Sequence, residues 1–394
     1  MLPYRQREGG ISAPSAGRDR VDRVDAARDV RVDRRLLAGL RSAAAQAGID
    51  LLGVTSAEPF EYEDDWWGHD QPAAVLPGAG SVVVAGFCAR YTPRPVQSEP
   101  GNPRGRFTAF GSRIFEQMEA HCWKVVVEYL RDRGYAAVEA PRLAIKPAVV
   151  RSGLGRYGKH AVVITPELGS MVMFAAVVTD APLADAGGDA PLRAETCPPD
   201  CRLCVDACPT GALAGDYKLD RALCITNWLW GAFSPREVRA QQQNRLFGCA
   251  ECLLACPRSR DVLPRNRHPV PTDTVDDCPE LLPLAAGDRA YYDRSIPTFP
   301  RQAGFETMRA SAIVALGNAG DPVAAETLAE TIRSDDQRHR AYSAWALGRL
   351  PSDRARMLLE DARAAESDAT VLEEIEAALA ISSASIGAGS ATAD

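Results

Sequence analysis

Eight cysteines concentrated in one short segment constrain this chain more than any other feature of its sequence. Of the eleven cysteines, eight lie within sixty residues, and these are Cys197, Cys201, Cys204, Cys208, Cys224, Cys249, Cys252 and Cys256. Disulfides are disfavoured because we find no secretory signal that would send the chain to an oxidising compartment. Two zinc sites are an alternative, since zinc also accepts four thiolates in a tetrahedron.

The spacing of these cysteines favours iron–sulfur clusters over zinc. Residues 201–209 and 249–257 each read Cys-x2-Cys-x3-Cys-Pro, the run of bacterial ferredoxins in which the cysteine before proline ligates the other cluster. This rule predicts two four-iron clusters in a ferredoxin-like segment and divides the thiols into two sets. The first thiol set is Cys197, Cys201, Cys204 and Cys256, and the second thiol set is Cys208, Cys224, Cys249 and Cys252.

One departure from the ferredoxin pattern affects the loop of the first thiol set. Cys197 and Cys201 are separated by three residues rather than two, which alters the loop but leaves four ligands. Clusters of this kind pass single electrons, so either another group performs the chemistry or the chain is an electron carrier. The large remainder of the chain argues against a simple carrier.

Length and charge limit the possible folds and partners of the chain outside the cysteine-rich segment. A chain of 394 residues exceeds what one hydrophobic core usually serves, so we expect about two or three domains. The formal net charge of −7 gives no general attraction to nucleic acid. We find no run of about 18 apolar residues that could span a membrane, and Arg41 interrupts the segment after Arg34 and Arg35 that twin-arginine export would need. We therefore expect a cytoplasmic protein.

The segment before the cysteines alternates helical and strand patterns. We predict a helix over residues 36–47 that ends at Gly48 and another over residues 114–133 that ends at Gly134. Buried strands are predicted at residues 51–54, 81–86, 161–165 and 171–179. The N-terminal half is therefore predicted to be a mixed α/β domain, in which Cys88 and Cys122 are structural, as is Cys278 further along the chain.

The C-terminal segment contains an internal repeat. Residues 309–317, with the sequence RASAIVALG, recur 31 residues later as RAYSAWALG at residues 340–348. This period indicates helical pairs of the HEAT type, whose units cannot bury their apolar faces alone. Residues 301–394 carry nine basic and fifteen acidic side chains, which weakens any suggestion that they bind RNA phosphates. A structural cap is the alternative.

This order of segments resembles epoxyqueuosine reductase, a cobalamin-dependent enzyme related to the reductive dehalogenases. The resemblance runs from about residue 36 to 380 and rests on the cysteine pattern, the GLGRYGKH run at 153–160, Gly169-Ser170 and the ALGN run at 315–318. It implies that the clusters reduce the cobalt of a base-off cobalamin and that the product is an alkene, formed from an epoxide on a modified tRNA base. It also implies a nitroreductase-like fold for the cobalamin-binding domain.

Several residues become candidates for the cofactor site. Gly153, Gly155 and Gly158 would permit close backbone approach to a flat or phosphate-bearing ligand, and Lys159 could neutralise its charge. A strained turn explains three glycines equally well. The resemblance adds Lys146, Tyr157 and Thr226 as further cofactor-binding candidates.

The resemblance also suggests a proton donor. The family's proposed donor is an aspartate fourteen residues before the first of these glycines, and that position holds Glu139 here. We predict that Glu139 is the general acid, with its pKa raised by desolvation beside the cofactor. A solvated glutamate at the end of a strand is the alternative.

The chain departs from the family pattern at one run, and it lacks a sequence motif for cobalt ligation. Near the start of the long helix the family commonly has Asp-Tyr-His, whereas this chain reads FGSRI at residues 110–114. No Asp-x-His-x-x-Gly run is present, so cobalt ligation by a protein histidine is not predicted.

These observations leave three functional hypotheses. The leading one is an epoxyqueuosine reductase acting on the anticodon stem-loop of tRNA, a monomer that receives electrons from a donor such as flavodoxin or ferredoxin. The others are a related corrinoid reductase or dehalogenase of small molecules, and a non-catalytic electron-transfer protein.

The predicted domains are, in order, a disordered tail at 1–33, the α/β cobalamin-binding domain at 34–185, the ferredoxin-like domain at 186–270, a linker at 271–300, HEAT-type repeats at 301–381 and a second disordered tail at 382–394.

Overall fold

The structure is a computed structural model, and it describes most of the chain. The described residues are 32–60, 69–88, 99–108, 113–184, 196–231, 233–260 and 278–389. The N-terminal tail predicted at 1–33 lies outside them, except for its last two residues. Within the described residues, no helix combines the length and the apolar character needed to cross a membrane.

The first part of the chain alternates short helices with strands. Its elements are Arg34–Gln46 (α1), Leu51–Ser56 (β1), Pro72–Val75 (α2), Ser81–Cys88 (β2), Arg106–Phe107 (β3), Arg113–Arg131 (α3), Ala137–Glu139 (β4), Ile145–Arg151 (α4), Arg156–Tyr157 (β5), Val163–Ile164 (β6) and Val172–Thr179 (β7). Both long helices are confirmed within a few residues. Helix α1 begins two residues earlier than predicted because Asp33 caps it, its carboxylate accepting a hydrogen bond from the Leu36 N–H at 2.9 Å.

A four-stranded sheet forms the centre of this part. Its strand order is β1-β2-β7-β4, and every neighbouring pair is antiparallel. Strand β2 is buried along its whole length because both sheet faces are covered. Val83 and Ala85 pack against α1 and α3, whereas Val82 and Val84 pack on the side of α4.

Three strand predictions are confirmed in this sheet, and one differs. The strand predicted at residues 161–165 is reduced to β6, which pairs with β5 in a separate two-stranded hairpin. Strand β4 was raised only in the alternative interpretation of Glu139, since three residues are too few to show an alternating pattern.

The cysteine-rich part consists of short elements. They are Leu203–Asp206 (α5), Ile225–Trp228 (α6), Arg236–Gln242 (α7), Arg245–Phe247 (β8), Glu251–Leu254 (α8) and Pro257–Arg260 (α9). Strand β8 pairs in parallel with β3, so a segment from the predicted first domain joins the cysteine-rich part. Phe107 of β3 also packs in the same core as the C-terminal helices.

The remaining elements are all helices. They are Leu281–Ala286 (α10), Arg289–Ser295 (α11), Thr298–Arg301 (α12), Phe305–Ala319 (α13), Ala324–Thr331 (α14), Gln337–Leu347 (α15), Asp353–Ala365 (α16) and Ala369–Gly389 (α17). The two copies of the sequence repeat are the neighbouring helices α13 and α15. Gly317 allows their close approach, because a Cβ atom there would lie 2.7 Å from the Cα of Ala346.

Two predicted boundaries in this region need correction. Residues 271–300 are not simply a linker, because α10 and α11 bury Leu281, Leu284 and Tyr292 in the core of the helical repeats. The C-terminal tail predicted from residue 382 is helical as far as Gly389, because α17 continues through it.

Candidate functional site

The structure gathers the first thiol set around one small cavity. Its wall is formed by all four of these thiols together with Lys159, His160, Leu203 and Pro257. Burial, aided by the neighbouring thiols, raises the pKa of Cys204 to about 11. That direction is expected where sulfur atoms crowd around one point, and a bound cation reverses it by favouring the thiolate. The donor set therefore fits a four-iron cluster.

The second thiol set is also brought together. Burial raises the pKa of Cys252, and the nearby thiols of Cys249, Cys224 and Cys208 raise it further. The Cys208 Sγ accepts a hydrogen bond from the Ala212 N–H at 3.2 Å. Cys204 of the first set also acts on the pKa of Cys252, so the two sets are neighbours, as electron transfer between two clusters requires.

Lys159 fixes the loop of the first thiol set. Its Nζ donates hydrogen bonds to the carbonyl oxygens of Pro198, Pro199 and Cys201 at 3.0, 2.7 and 3.0 Å. A lysine ammonium has three donors, and here all three are used. Its charge therefore lies against the cluster loop that carries the extra residue, and its role towards a cofactor's charge stays a prediction.

His160, which follows Lys159 directly, was not predicted as a site residue. Its side chain is 3% exposed, and its Nδ1 accepts a hydrogen bond from the Val162 N–H at 3.1 Å. Burial, with nearby Lys146 adding to the effect, lowers its pKa to about 4. The imidazole is therefore neutral near pH 7. The only sequence signal for it is its position in the glycine-rich run.

Lys146 lies beside the second thiol set, two of whose thiols, Cys224 and Cys252, act on its pKa. Its side chain keeps accessible surface, yet desolvation lowers its pKa, with the Arg221 charge adding to the shift and Cys224 and Cys252 opposing it. Its Nζ donates to the carbonyl of Ala161 at 3.2 Å. We interpret an exposed ammonium that is nevertheless desolvated as lying at the floor of a shallow cleft, and the Arg221 charge makes that cleft more positive.

The glycine-rich segment forms part of the β5–β6 hairpin. A Cβ atom on Gly155 would lie 2.6 Å from the carbonyl oxygen of Ile164, and one on Gly158 would lie 2.5 Å from the Cδ1 of Ile164. Gly153 has a φ of +78° with no atom near its missing side chain, so it serves the turn after α4. Packing within the hairpin therefore explains why Gly155 and Gly158 have no side chain, and close ligand approach at these positions stays a prediction.

The other predicted site residues are exposed or half-buried. Glu139 is exposed at the end of β4, which is the setting of the solvated alternative. Tyr157 is half-buried and packs against the core beside α4, and Thr226 is half-buried in α6 next to Cys224. Of the FGSRI run that departs from the family pattern, residues 110–112 lie outside the described residues.

Two family models match the predicted modules. One, described as a 4Fe-4S double cluster binding domain, matches residues 197–259, and one described as HEAT repeats matches residues 301–380. The predictions of two four-iron clusters and of helical repeats are confirmed. The assignment of individual thiols to each cluster stays a prediction.

Most of the chain can also be compared with curated relatives. The epoxyqueuosine reductase of Bacillus cereus is 28% identical over 369 residues, covering 84% of this chain and 93% of that protein. The enzyme of Bacillus subtilis is 27% identical over 376 residues, covering 87% and 95%. An uncharacterised protein of Geobacillus stearothermophilus is 31% identical over 212 residues, covering 53% of this chain and 96% of that protein.

The fold of the chain is also similar to that of solved epoxyqueuosine reductases. An epoxyqueuosine reductase crystallised with an epoxyqueuosine-modified tRNA-Tyr stem loop matches with a TM-score of 0.75 at 26% identity, covering 89% of this chain and 99% of that chain. The chain is a relative of the epoxyqueuosine reductases. The predicted resemblance is thereby confirmed.

Two of the motifs that carry the resemblance to the epoxyqueuosine reductases lie where distant segments of the chain contact each other. They are Gly169-Ser170 and the ALGN run at 315–318. Gly169 approaches the cysteine-rich part closely, since a Cβ atom there would lie 2.5 Å from the carbonyl oxygen of Arg258, and the hydroxyls of Ser170 and Ser259 are hydrogen-bonded at 2.6 Å. In the repeats, Asn318 donates to the carbonyl oxygen of Arg239 at 2.8 Å. These motifs are explained by docking between segments of the chain.

Three cysteines, Cys88, Cys122 and Cys278, lie outside the two thiol sets and belong to no cysteine motif. Cys88 and Cys122 are fully buried, and burial raises their pKa values to about 11 and about 12. Both positions fit the prediction of structural cysteines. Cys278 is half-buried.

Proposed function

We propose that this chain is an oxidoreductase that reduces epoxyqueuosine to queuosine in tRNA, using two four-iron clusters and cobalamin. The observation that carries the proposal is the match to an epoxyqueuosine reductase solved with its modified stem loop, which extends over 99% of that chain. The double-cluster domain supports it, since the match includes the redox module and not only a common scaffold.

The cleft at Lys146 is the proposed cobalamin site, in the sheet domain, for which we propose a nitroreductase-like fold. Lys146 and Arg221 would attract polar or anionic groups of the cofactor, since both bring positive charge to the cleft. The second thiol set lies beside this cleft, so we propose that its cluster is the one nearer to the cofactor. When bound, the clusters would supply single electrons and cobalamin would supply the metal centre that reacts with the epoxide.

Glu139 is the proposed proton donor. Converting an epoxide to an alkene releases its oxygen as water and consumes two electrons and two protons. A positioned carboxylic acid can deliver a proton to the departing oxygen. Because Glu139 is exposed in the structure, its desolvation requires bound cofactor and substrate to cover it. Tyr157 and Thr226 remain proposed cofactor contacts, and Gly153, Gly155 and Gly158 remain proposed sites of close approach.

The cellular setting is proposed from the same considerations. Acting on tRNA requires access to the cytoplasm, and the clusters require an external donor of single electrons, for which flavodoxin or ferredoxin is suited. We propose that the chain works as a monomer.

The cofactor content gives the first test. Anaerobically purified chain, reconstituted with iron and sulfide, should contain about eight irons and eight sulfides because eight thiols at this spacing hold two clusters. Titration with cobalamin should give an optical spectrum of protein-bound, base-off cofactor. Stoichiometric zinc with little iron would end the cluster assignment, and failure to bind cobalamin would favour the electron-carrier hypothesis.

A matched variant tests the location of the cobalamin site. Lys146→Met removes the cleft ammonium, so it should weaken cobalamin binding while both clusters assemble normally. Lys124→Met, at an exposed position on α3, is the control and should bind cobalamin as the unmutated chain does. Equal affinity in both variants would remove Lys146 from the proposed site.

A further inference from the structure

His160 presents an unused hydrogen-bond donor at the cavity of the first thiol set. Its ring helps to form the wall of that cavity, and its side chain is 3% exposed. The Nε2 atom is buried and has no hydrogen-bond partner within the described part of the chain. A buried donor without a partner destabilises the folded chain, so its presence on the wall of a ligand cavity requires an explanation.

The hydrogen bond at the other ring nitrogen determines which nitrogen carries the proton. Nδ1 accepts a hydrogen bond from the Val162 N–H at 3.1 Å, and an accepting nitrogen has no proton of its own. The neutral ring therefore carries its hydrogen on Nε2. The orphaned atom is a donor, and sulfur is the acceptor that a four-iron cluster offers.

We propose that the Nε2–H of His160 donates a hydrogen bond to a sulfur atom of the cluster held by the first thiol set, and that this bond raises the reduction potential of that cluster. Reduction adds negative charge to the cluster, so a donor aimed at its sulfur stabilises the reduced form more than the oxidised form. His160 is thus a positioning residue that tunes one of the two clusters.

The surroundings of the His160 ring indicate that it affects the reduction potential of only one of the two clusters. Lys159 lines the same cavity, but all three of its donors are hydrogen-bonded to loop carbonyl oxygens. Among the described residues that line this cavity, His160 therefore has the buried side-chain donor without a hydrogen-bond partner. The second thiol set does not contribute to the cavity wall. The two clusters should therefore respond differently to a change at His160.

The test is a redox titration of the full-length, cluster-loaded chain followed by electron paramagnetic resonance. His160→Leu removes the donor and keeps an apolar side chain. The first cluster should become about tenfold harder to reduce, which corresponds to a fall of about 59 mV for a one-electron couple. The second cluster should keep its potential. The first cluster is identified as the one that Cys256→Ala damages.

Two further variants separate tuning from a structural effect. His160→Gln retains an N–H donor of similar reach and should restore most of the potential. His121→Leu changes a histidine on α3 whose Nε2 lies 2.8 Å from the Ala47 carbonyl oxygen, and it should leave both potentials unchanged.

A spectroscopic readout on the unmutated chain keeps the proposal testable even if His160→Leu cannot retain its cluster. With ¹⁵N-labelled histidine, the reduced first cluster should show a nitrogen hyperfine coupling that is absent from His160→Gln. Unchanged potentials in a fully loaded His160→Leu chain, or no such coupling, would overturn the proposal. Neither measurement requires cobalamin or RNA, so the result is independent of the proposed activity.

Discussion

Replacing Lys159 with methionine should weaken the loop that carries Cys197 and Cys201. The ammonium is held within 3.0 Å of three loop carbonyl oxygens, and the side chain is 8% exposed. Methionine keeps most of the apolar stem but provides no donor. The variant therefore removes the hydrogen bonds and the charge without opening a large cavity.

The size of the effect follows from these contacts. Each hydrogen bond from a charged donor contributes about 1.5–3 kcal/mol net, so three at the lower value contribute about 4.5 kcal/mol. Pro198 and Pro199 are exposed, so water would replace about half of that contribution, which leaves a loss of about 2 kcal/mol. This corresponds to an opening of the loop that is about 30-fold more favourable.

Chelator challenge of the loaded chain measures this loss. In Lys159→Met, half of the iron should be released about 30-fold faster than from the unmutated chain, while the second cluster persists. Lys218→Met, at an exposed position in the same cysteine-rich part, is the control and should behave as the unmutated chain does. Release of iron from Lys159→Met at the control rate would refute the proposed role of the three hydrogen bonds.

Three further predictions test other parts of the account. Cys256→Ala should remove the cluster of the first thiol set in resonance spectra, although Cys256 lies closer in sequence to the second set; loss of the other cluster would show that the ligand assignment is wrong. Glu139→Gln should lower turnover by roughly 10²-fold or more without affecting cobalamin binding, and Glu139→Asp should retain activity; full activity of the glutamine variant would exclude Glu139. Glu374→Gln should destabilise the chain towards urea by about 3–5 kcal/mol because it leaves the buried charge of Arg239 without its carboxylate partner. The exposed Glu373→Gln is the control for this last change, and equal stability of the two variants would contradict it.

The sequence predicts most reliably what short-range spacing encodes. The Cys-x2-Cys-x3-Cys-Pro runs identify the double-cluster domain, and the 31-residue recurrence identifies helices α13 and α15, because both signals depend only on nearby residues. Apolar periodicity also identifies α1 and α3 and the central strands.

Contacts between distant segments were beyond the reach of these patterns. The glycine-rich run suggested that Lys159 binds a cofactor, but its partners lie about forty residues further along the chain. Strand β3 was unpredictable for the same reason, since a two-residue strand has no pattern of its own and its partner is β8. Helices α10 and α11 carry no repeat signal and gain their place by burying apolar residues beneath the repeats.

His160 illustrates a third limit. A histidine in a glycine-rich turn has no distinctive sequence signal, and its importance depends on which nitrogen is engaged and what the other one faces. Only the hydrogen bond from Val162 and the position of the ring on the cavity wall make it a candidate.

Product analysis on the modified RNA tests the central claim most directly. The chain, loaded with both clusters and cobalamin and reduced under anaerobic conditions, would be incubated with a tRNA stem loop carrying epoxyqueuosine, and its nucleosides would be separated and weighed by mass spectrometry. The proposed function predicts conversion to queuosine, seen as the loss of one oxygen atom, that depends on added cobalamin and on reductant. Unchanged epoxyqueuosine after incubation with a chain whose spectrum shows both clusters and bound cobalamin would contradict it.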